Sequence, residues 1–150
     1  MVEIKTETEI DRPAETVFDV IVDFRGQHRW LTNSSVYRGT TVHTDGAVAV
    51  GTTYRESAPT GDRNGVVTAL ERPTTLTCSQ PLTLKPRVGT VDVTLRYTLT
   101  ATGPTSTHVE RVVALAIPWW LVPMQPVLVR IFRTESKRTL ASLKAFANGS

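Results

Sequence analysis

Residues 91–100 read VDVTLRYTLT, and apolar side chains alternate strictly with polar ones along this stretch. Successive side chains of a strand point to opposite faces, so the alternation predicts a strand that buries one face only. Burial of a single face is typical of antiparallel sheets, because parallel sheets are covered on both sides. The stretch therefore predicts an antiparallel sheet with one face on a core and the other in solvent.

The same character extends over most of the chain. Turn-forming residues, including the segment GDRNG at 61–65, separate nearly all of the stretches that follow, and no long helical pattern interrupts them. Together with the alternating residues 2–10, they predict an antiparallel meander of about seven strands. The six predicted strands after the first are 36–42, 48–57, 64–70, 75–80, 88–100 and 107–117.

One or two short helices are predicted after the first strand. Asp11 is a candidate N-cap, Pro13 suits an early helical position, and apolar residues recur at helical spacing over 13–24. The following residues 25–35 have no sustained period. We expect them to form a loop or a broken second helix.

The last predicted element is a long amphipathic helix over about 121–147, in which apolar positions recur at spacings of three and four with basic residues between them. Pro123 and Pro126 belong in its first turns or just before it, where a missing N–H group costs little. A sheet with one apolar face and one amphipathic helix can bury both by packing together. The predicted fold class is therefore α+β.

Composition narrows the classes of protein. The 150 residues are 40% hydrophobic and 21% charged, as expected for one soluble domain over 1–150. The net charge of +3 is carried mostly by scattered arginines, which does not indicate nucleic-acid binding. The uncharged run 112–129 contains three prolines, so no transmembrane span is predicted. The lone Cys78 and a start without the pattern of a signal peptide predict a cytoplasmic protein without disulfides.

Four phrases carry a family resemblance: IDRPAETVFDVIVDF at 10–24, RWL at 29–31, VGTTY at 50–54 and LERP at 70–73. In this order, the chain resembles the START-like or SRPBCC helix-grip superfamily, including its polyketide cyclase/dehydrase and lipid-transport group. The resemblance implies a curved antiparallel sheet wrapped around the C-terminal helix, with a cavity between them. This fold hosts carriers, enzymes and regulatory binders, so the resemblance alone does not decide the chemistry.

The chain shows no motif for a metal or a cofactor. His28, His43 and His108 lie in different segments without the spacing of zinc ligands, and there is no second cysteine. Neither a Gly-x-Ser-x-Gly motif nor a glycine-rich phosphate loop is present. We therefore predict no metal and no cofactor.

Arg111 is the most informative polar residue. It shares a strand face with Val109 and Val113, so alternation turns it inward, where it would need a carboxylate or a polar ligand. Glu56 is a candidate partner because it shares an inward face with Tyr54. The alternative is that Arg111 lies at the rim with its guanidinium in solvent, or that a bulge turns it outward.

Aromatic and sulfur-containing side chains are the other candidates for a ligand pocket, because they provide large apolar area and polar tips that orient a guest. Trp119 and Trp120 lie between the last strand and the helix, where the resemblance implies an entrance to the cavity; the alternative is a plug that caps the core. The predicted ligand-binding residues are Trp30, Tyr54, Tyr97, Arg111, Trp119, Trp120, Met124 and Phe132.

These residues favour binding or carriage of a small hydrophobic molecule, such as a lipid, an aromatic metabolite or a polyketide-like compound. The first alternative is a cyclase or dehydratase in which Arg111 polarises a carbonyl while Tyr54 or Glu56 moves protons. Against it, the segment GVVTAL at 65–70, where ring-closing relatives carry an arginine, has no charged side chain. The second alternative is a transient protein or membrane contact through Trp119 and Trp120.

Overall fold

The computed structural model describes residues 1–34, 37–85 and 89–149. Over these residues the chain forms eight strands, two α-helices and two short 3-10 helices, the latter at Phe24–Arg29 and Trp119–Met124. The strands and α-helices, in chain order, are β1 (Val2–Ile10), α1 (Ala14–Val22), β2 (Thr40–Val42), β3 (Thr53–Ala58), β4 (Gly61–Glu71), β5 (Thr75–Ser79), β6 (Leu82–Leu84), β7 (Gly89–Gly103), β8 (Ser106–Ala116) and α2 (Gln125–Asn148).

All of these strands pair antiparallel in one sheet. The order is β1-β8-β7-β5-β4-β3-β2, and the short β6 pairs with both β4 and β7. The sheet wraps around α2, whose buried side chains face it. The predicted helix-grip α+β fold is confirmed, with eight strands where about seven were expected.

The two prolines near the start of α2 lie where the pattern predicts. Pro123 falls within the preceding 3-10 helix, and Pro126 occupies the first turn of α2, where its missing N–H group has no intrahelical acceptor to lose. Of the described helices, none is both long and apolar enough to cross a membrane.

Several predicted boundaries are wrong. Residues 61–65 form the start of β4 rather than a turn. The N-cap of α1 is Pro13 without a capping side chain, not Asp11. The strand predicted from residue 48 begins at Thr53, because the Thr52 N–H donates to the Ala49 carbonyl in a tight turn whose Gly51 has a φ of 94°.

Other boundaries move by a few residues. The strand predicted over 36–42 is confined to Thr40–Val42, and residue 36 lies outside the described residues. The strand predicted over 88–100 continues to Gly103, and its predicted first residue, 88, also lies outside the described ranges. The loop or broken helix expected over 25–35 includes most of the first 3-10 helix.

The interior divides into two groups of buried side chains. The first, here called the α1 cluster, surrounds α1 and includes Phe18, Tyr54, Tyr97 and Leu143. The second, here called the Leu115 cluster, lies under the start of α2 and consists of Ile4, Leu82, Leu84, Val91, Val93, Val113, Leu115, Leu121, Leu128 and Phe132. The candidate site lies within the α1 cluster.

Candidate functional site

An internal cavity of about 40 Å³ lies between the sheet, α2 and the first 3-10 helix. This volume suffices for a few water molecules. Its apolar wall is formed by Ile21, Phe24, Leu31, Leu76 and Leu95. The rest of the lining includes two arginines, two glutamates, two glutamines and three tyrosines, so it is more polar than the sequence led us to expect.

Arg111 points into this cavity from β8 and is 7% exposed. Its Nε donates to the Tyr97 hydroxyl at 3.2 Å, and its Nη1 donates to the Ser136 hydroxyl of α2. The inward alternative is therefore confirmed and the rim alternative is wrong. Among the described residues, no carboxylate forms an ion pair with Arg111; its guanidinium is met by the two hydroxyls and lies over the Tyr97 ring, 5.7 Å from the ring centroid.

Glu56 has a different partner from the one predicted. Its Oε2 lies 2.5 Å from Nη2 of Arg63, and both side chains are about 8% exposed. The two residues are directly opposite each other in the β3–β4 register. The predicted pairing of Glu56 with Arg111 is wrong, because the cross-strand neighbour takes the carboxylate.

Tyr54 and Gln80 form a second polar contact at the cavity wall. Gln80 Nε2 donates to the Tyr54 hydroxyl at 2.5 Å, and the Phe24 ring packs 4.8 Å from the Tyr54 ring. The Tyr54 ring also covers Gly65, where a Cβ atom would come within 2.2 Å of it. The glycine in this strand therefore makes room for the tyrosine.

Burial sets the protonation of the two weak acids in this part of the cavity. It raises the pKa of the Tyr54 hydroxyl far above its usual range, and it raises the pKa of the Cys78 thiol to about 11. Both groups therefore remain protonated near neutral pH. Tyr54 can donate or accept a hydrogen bond there, but it cannot serve as a general base.

Two buried donors at the cavity lack a hydrogen-bond partner within the described structure: the Trp30 indole Nε1 and the Tyr37 hydroxyl. Trp30 is 8% and Tyr37 is 2% exposed. Burial raises the pKa of the Tyr37 hydroxyl, and the nearby Thr40 side chain offsets part of that effect. Unsatisfied buried groups of this kind cost free energy unless water or a ligand meets them.

Trp30 also lines a second, open space of about 310 Å³ on the outside of the protein, between α1, the first 3-10 helix and Phe146. The indole is therefore shared between the internal cavity and an external cleft. An ion pair between Asp23 and Arg29 spans the 3-10 helix that ends next to Trp30. Trp30 is therefore a wall residue of both spaces.

The remaining predicted site residues lie elsewhere. Trp119 is 85% and Trp120 is 49% exposed, and neither lines the internal cavity. Met124 and Phe132 line a separate apolar groove of about 170 Å³ on the surface. None of these four side chains lines the internal cavity.

Sequence reasoning missed several lining residues. Arg63 was overlooked because its segment has the composition of a turn, and Tyr37 and Gln80 because they lie in or beside connections. Glu135 was overlooked because it occurs on an otherwise cationic helix; its carboxylate is held by Arg138 at 2.6 Å and faces the Ser34 hydroxyl at 3.2 Å. Alternation along residues 61–67 is the one signal that could have identified Arg63.

The described residues do not provide a metal site. They contain no cluster of three or more His, Cys, Asp or Glu side chains that could hold a metal ion. His108, for example, lies on the outer face of the sheet, where its ring contacts Glu7 and Glu9.

The sequence of residues 1–147 matches the family described as polyketide cyclase/dehydrase and lipid transport. No curated protein matches the sequence. The family match covers nearly the whole chain.

Solved structures support the same fold at low sequence identity. Protein MLL2253 from Mesorhizobium loti is 20% identical, with 99% of this chain and 98% of that chain covered and a TM-score of 0.77. Norcoclaurine synthase from Thalictrum flavum, in complex with a transition-state analogue, is 13% identical over 97% and 93%, with a TM-score of 0.74. A START superfamily protein from Mycobacterium smegmatis is 14% identical over 98% and 97%, with a TM-score of 0.69.

Proposed function

The chain belongs to the polyketide cyclase/dehydrase and lipid-transport family, and from this premise we propose that it binds a small amphipathic organic molecule in its internal cavity. The apolar part of the guest packs against Leu76, Leu95 and their neighbours, and an oxygen-bearing group faces Arg111. Binding or carriage is the primary role, as the sequence favours.

The observation that carries the proposal is Arg111 itself. A guanidinium removed from water is costly unless its charge and its donors are met. Tyr97 and Ser136 use Nε and Nη1, which leaves Nη2 without a described partner beside the cavity. A carboxylate or carbonyl oxygen is the natural complement of that free donor, because guanidinium groups bind such oxygens through charge-assisted hydrogen bonds.

The volume of the cavity sets a condition on the guest. A benzene-sized molecule needs about 150 Å³, whereas the enclosed space is about 40 Å³. The condition is met when Trp30 moves and joins the cavity to the external cleft. The unpartnered Trp30 Nε1 loses no protein hydrogen bond in that movement, so the cost is limited to packing.

The test uses benzoate and benzyl alcohol as probes, which differ in charge but little in size. We expect benzoate to shift the Trp30 indole signal in NMR spectra and to bind more tightly than benzyl alcohol. Arg111→Met should weaken benzoate binding by about tenfold to a hundredfold, the usual range for a lost charged hydrogen bond, and should leave benzyl alcohol nearly unchanged. Arg96→Met, on the exposed face of neighbouring β7, is the matched control.

Two results would overturn the proposal. One is the absence of any shift of the Trp30 signal with either probe, together with native mass spectra of the purified protein that contain no bound compound. The other is equal weakening by Arg111→Met and Arg96→Met, which would assign the effect to overall charge. Retention of the folded spectrum in both variants makes either result decisive.

A cyclase or dehydratase remains the second candidate, favoured by the hydrogen bonds that place two hydroxyls beside Arg111. Its proton-transfer groups are less well supported, since Glu56 is paired with Arg63 and the Tyr54 hydroxyl is held by Gln80. In this role Arg111 polarises a substrate carbonyl, and a water or a hydroxyl relays the proton. Turnover of a poly-β-carbonyl substrate that Arg111→Met abolishes would favour the enzyme over the carrier.

A further inference from the structure

Exposed apolar side chains are concentrated in one short segment. Seven large hydrophobic residues are strongly exposed in the described chain, and five of them fall within residues 119–127: Trp119, Trp120, Val122, Met124 and Val127. Trp119 alone is 85% exposed. Isolated exposed hydrophobic residues are ordinary, but a contiguous group marks a surface that meets something else.

The backbone holds these side chains outward. The segment consists of the 3-10 helix Trp119–Met124, which follows Pro118, and the first residues of α2; its Leu121 is buried in the Leu115 cluster as an anchor. The Trp120 ring lies over Gly89, where a Cβ atom would approach it to 2.1 Å. The exposure of Trp119 is therefore built into the packing of its neighbours.

An apolar groove adjoins the segment. It measures about 170 Å³ and runs between β6 and the first turns of α2, with Leu82, Leu84, Ile131 and Phe132 among its walls. Met124 and Val127 form part of the same groove and also belong to the exposed segment. The segment and the groove thus make one continuous apolar surface, here called the tryptophan surface.

The charges on the helix side of this surface are cationic. Residues 112–129 contain no charged side chain, and the first charges on the helix side are the exposed Arg130 and Arg133. Lys85 borders the groove and also contacts Asp62 at 3.2 Å. Residues 111–134 contain no acidic side chain, and the register neighbours Glu3 and Asp92 project from the outer face of the sheet.

From this combination we infer that the tryptophan surface docks on a lipid bilayer that carries anionic headgroups. Tryptophan is favoured at the boundary of headgroups and acyl chains, because its ring is apolar and its N–H remains hydrated. Arginine and lysine next to it are drawn to anionic lipids. A second copy of the chain fits less well, because its matching surface would bring like charges together.

Vesicles provide the test, with the whole protein and no cavity ligand. We expect co-sedimentation and a blue shift of tryptophan emission with mixed phosphatidylcholine and phosphatidylglycerol vesicles. Binding to phosphatidylcholine alone should be weaker, and added salt should reduce binding to the mixture. Trp119→Ser should lower the partition coefficient by about tenfold or more, as expected for loss of a large apolar contact.

Matched controls distinguish binding through the tryptophan surface from nonspecific hydrophobic adsorption. Val50→Ser removes another exposed hydrophobic residue, 62% exposed and away from the segment, and should leave binding unchanged. Arg130→Glu should weaken binding to the mixed vesicles, whereas Lys144→Glu, near the other end of α2, should not. Because Trp119 and Val50 are exposed, neither variant threatens the fold.

Three outcomes would overturn the inference. The first is no binding to mixed vesicles, and the second is binding that Trp119→Ser and Val50→Ser affect equally. The third is a dimer in solution that Trp119→Ser dissociates, since the surface would then belong to a second copy. None of these outcomes bears on benzoate binding at Arg111, so the two proposals fail separately.

Discussion

The middle and the C-terminal end of strand β8 differ sharply in what they bury, and these two parts of the interior are here called the polar end and the apolar end. Arg111 meets hydroxyls and the internal cavity, whereas Leu115, four residues further along the same inward face, belongs to a cluster of aliphatic side chains and Phe132. Helix α2, which lies opposite, shows the same change in polarity along its length. Its Ser136 and Thr139 face the polar end, whereas its Leu128 and Phe132 face the apolar end. Polar residues of the sheet therefore face polar residues of the helix, and apolar residues face apolar ones.

This difference indicates how one fold combines stability with a polar interior. The Leu115 cluster supplies dry apolar burial, which is the main favourable term in folding. The buried charges line the cavity beside the α1 cluster, and buried charges usually return little net stability. A polar cavity of this kind costs stability locally, so we expect the two ends to respond differently to substitution.

The largest effect is expected at the Glu56–Arg63 pair of the polar end. Glu56→Gln leaves the Arg63 guanidinium buried without its carboxylate, and removal of one partner from a buried pair costs about 3–5 kcal/mol. Urea denaturation would measure this loss of the free energy of unfolding. The control is Arg55→Gln, which removes the Arg55–Asp62 pair from the outer face of the same two strands and should cost about 0–1 kcal/mol.

A loss below about 1 kcal/mol for Glu56→Gln would contradict this picture, since it would mean that bulk water reaches the pair. Replacement of both partners, Glu56→Leu with Arg63→Met, is expected to restore most of the stability, because an apolar pair of similar volume needs no desolvation of charge. Both measurements concern only the polar end.

The next effect is expected at the apolar end. Leu115→Ala removes a fully buried side chain and should cost about 2–5 kcal/mol, because the void is walled by apolar groups and stays empty. Leu76→Ala is the matched variant at the polar end, where Leu76 already lines the cavity. We expect the smaller loss there, since water can enter the enlarged space and meet polar partners. Equal losses in urea denaturation would remove the distinction between the two ends.

The same contrast explains how far the sequence could predict the structure. Strict alternation predicted β7 and β8 to within a few residues, because a strand that buries one face alternates apolar and polar residues along its sequence. It also turned Arg111 inward. Whether an inward arginine remains inside depends on Ser136, a residue on another element whose position no local pattern gives.

The missed part of the site has a comparable cause. Residues 61–65 have the composition of a turn, yet Gly61 packs against the Thr83 carbonyl of β6 and Gly65 lies under Tyr54. Both glycines serve close approach within a sheet rather than a change of chain direction. Composition cannot distinguish a glycine in a turn from a glycine at a close approach within a sheet. For this reason Arg63 was not predicted as a residue of the site.

The smallest effect is expected on the outer face of β8. The His108 ring lies 2.5 Å from a Glu9 oxygen and 3.2 Å from a Glu7 oxygen. These hydrogen bonds raise the pKa of His108 above its ordinary 6.5, and the bond to Glu9 has the larger effect. The bond to His108 in turn lowers the pKa of Glu7 below 4.5. A raised histidine pKa stabilises the folded state below pH 6.5, and this contribution is lost as the pH rises through the folded pKa.

The lowered pKa of Glu7 works in the opposite direction, and its contribution is lost as the pH falls below 4.5. His108→Gln should therefore lower the urea midpoint most between pH 4.5 and 6.5, and the difference from the wild type should shrink on both sides. The effect stays small because solvent screens these exposed groups.

His43→Gln, at an exposed histidine without an ion pair in the described structure, should show no such window. A pH-independent loss for His108→Gln would assign its role to packing, and the outer face would then resemble the Leu115 cluster rather than a set of exposed charges.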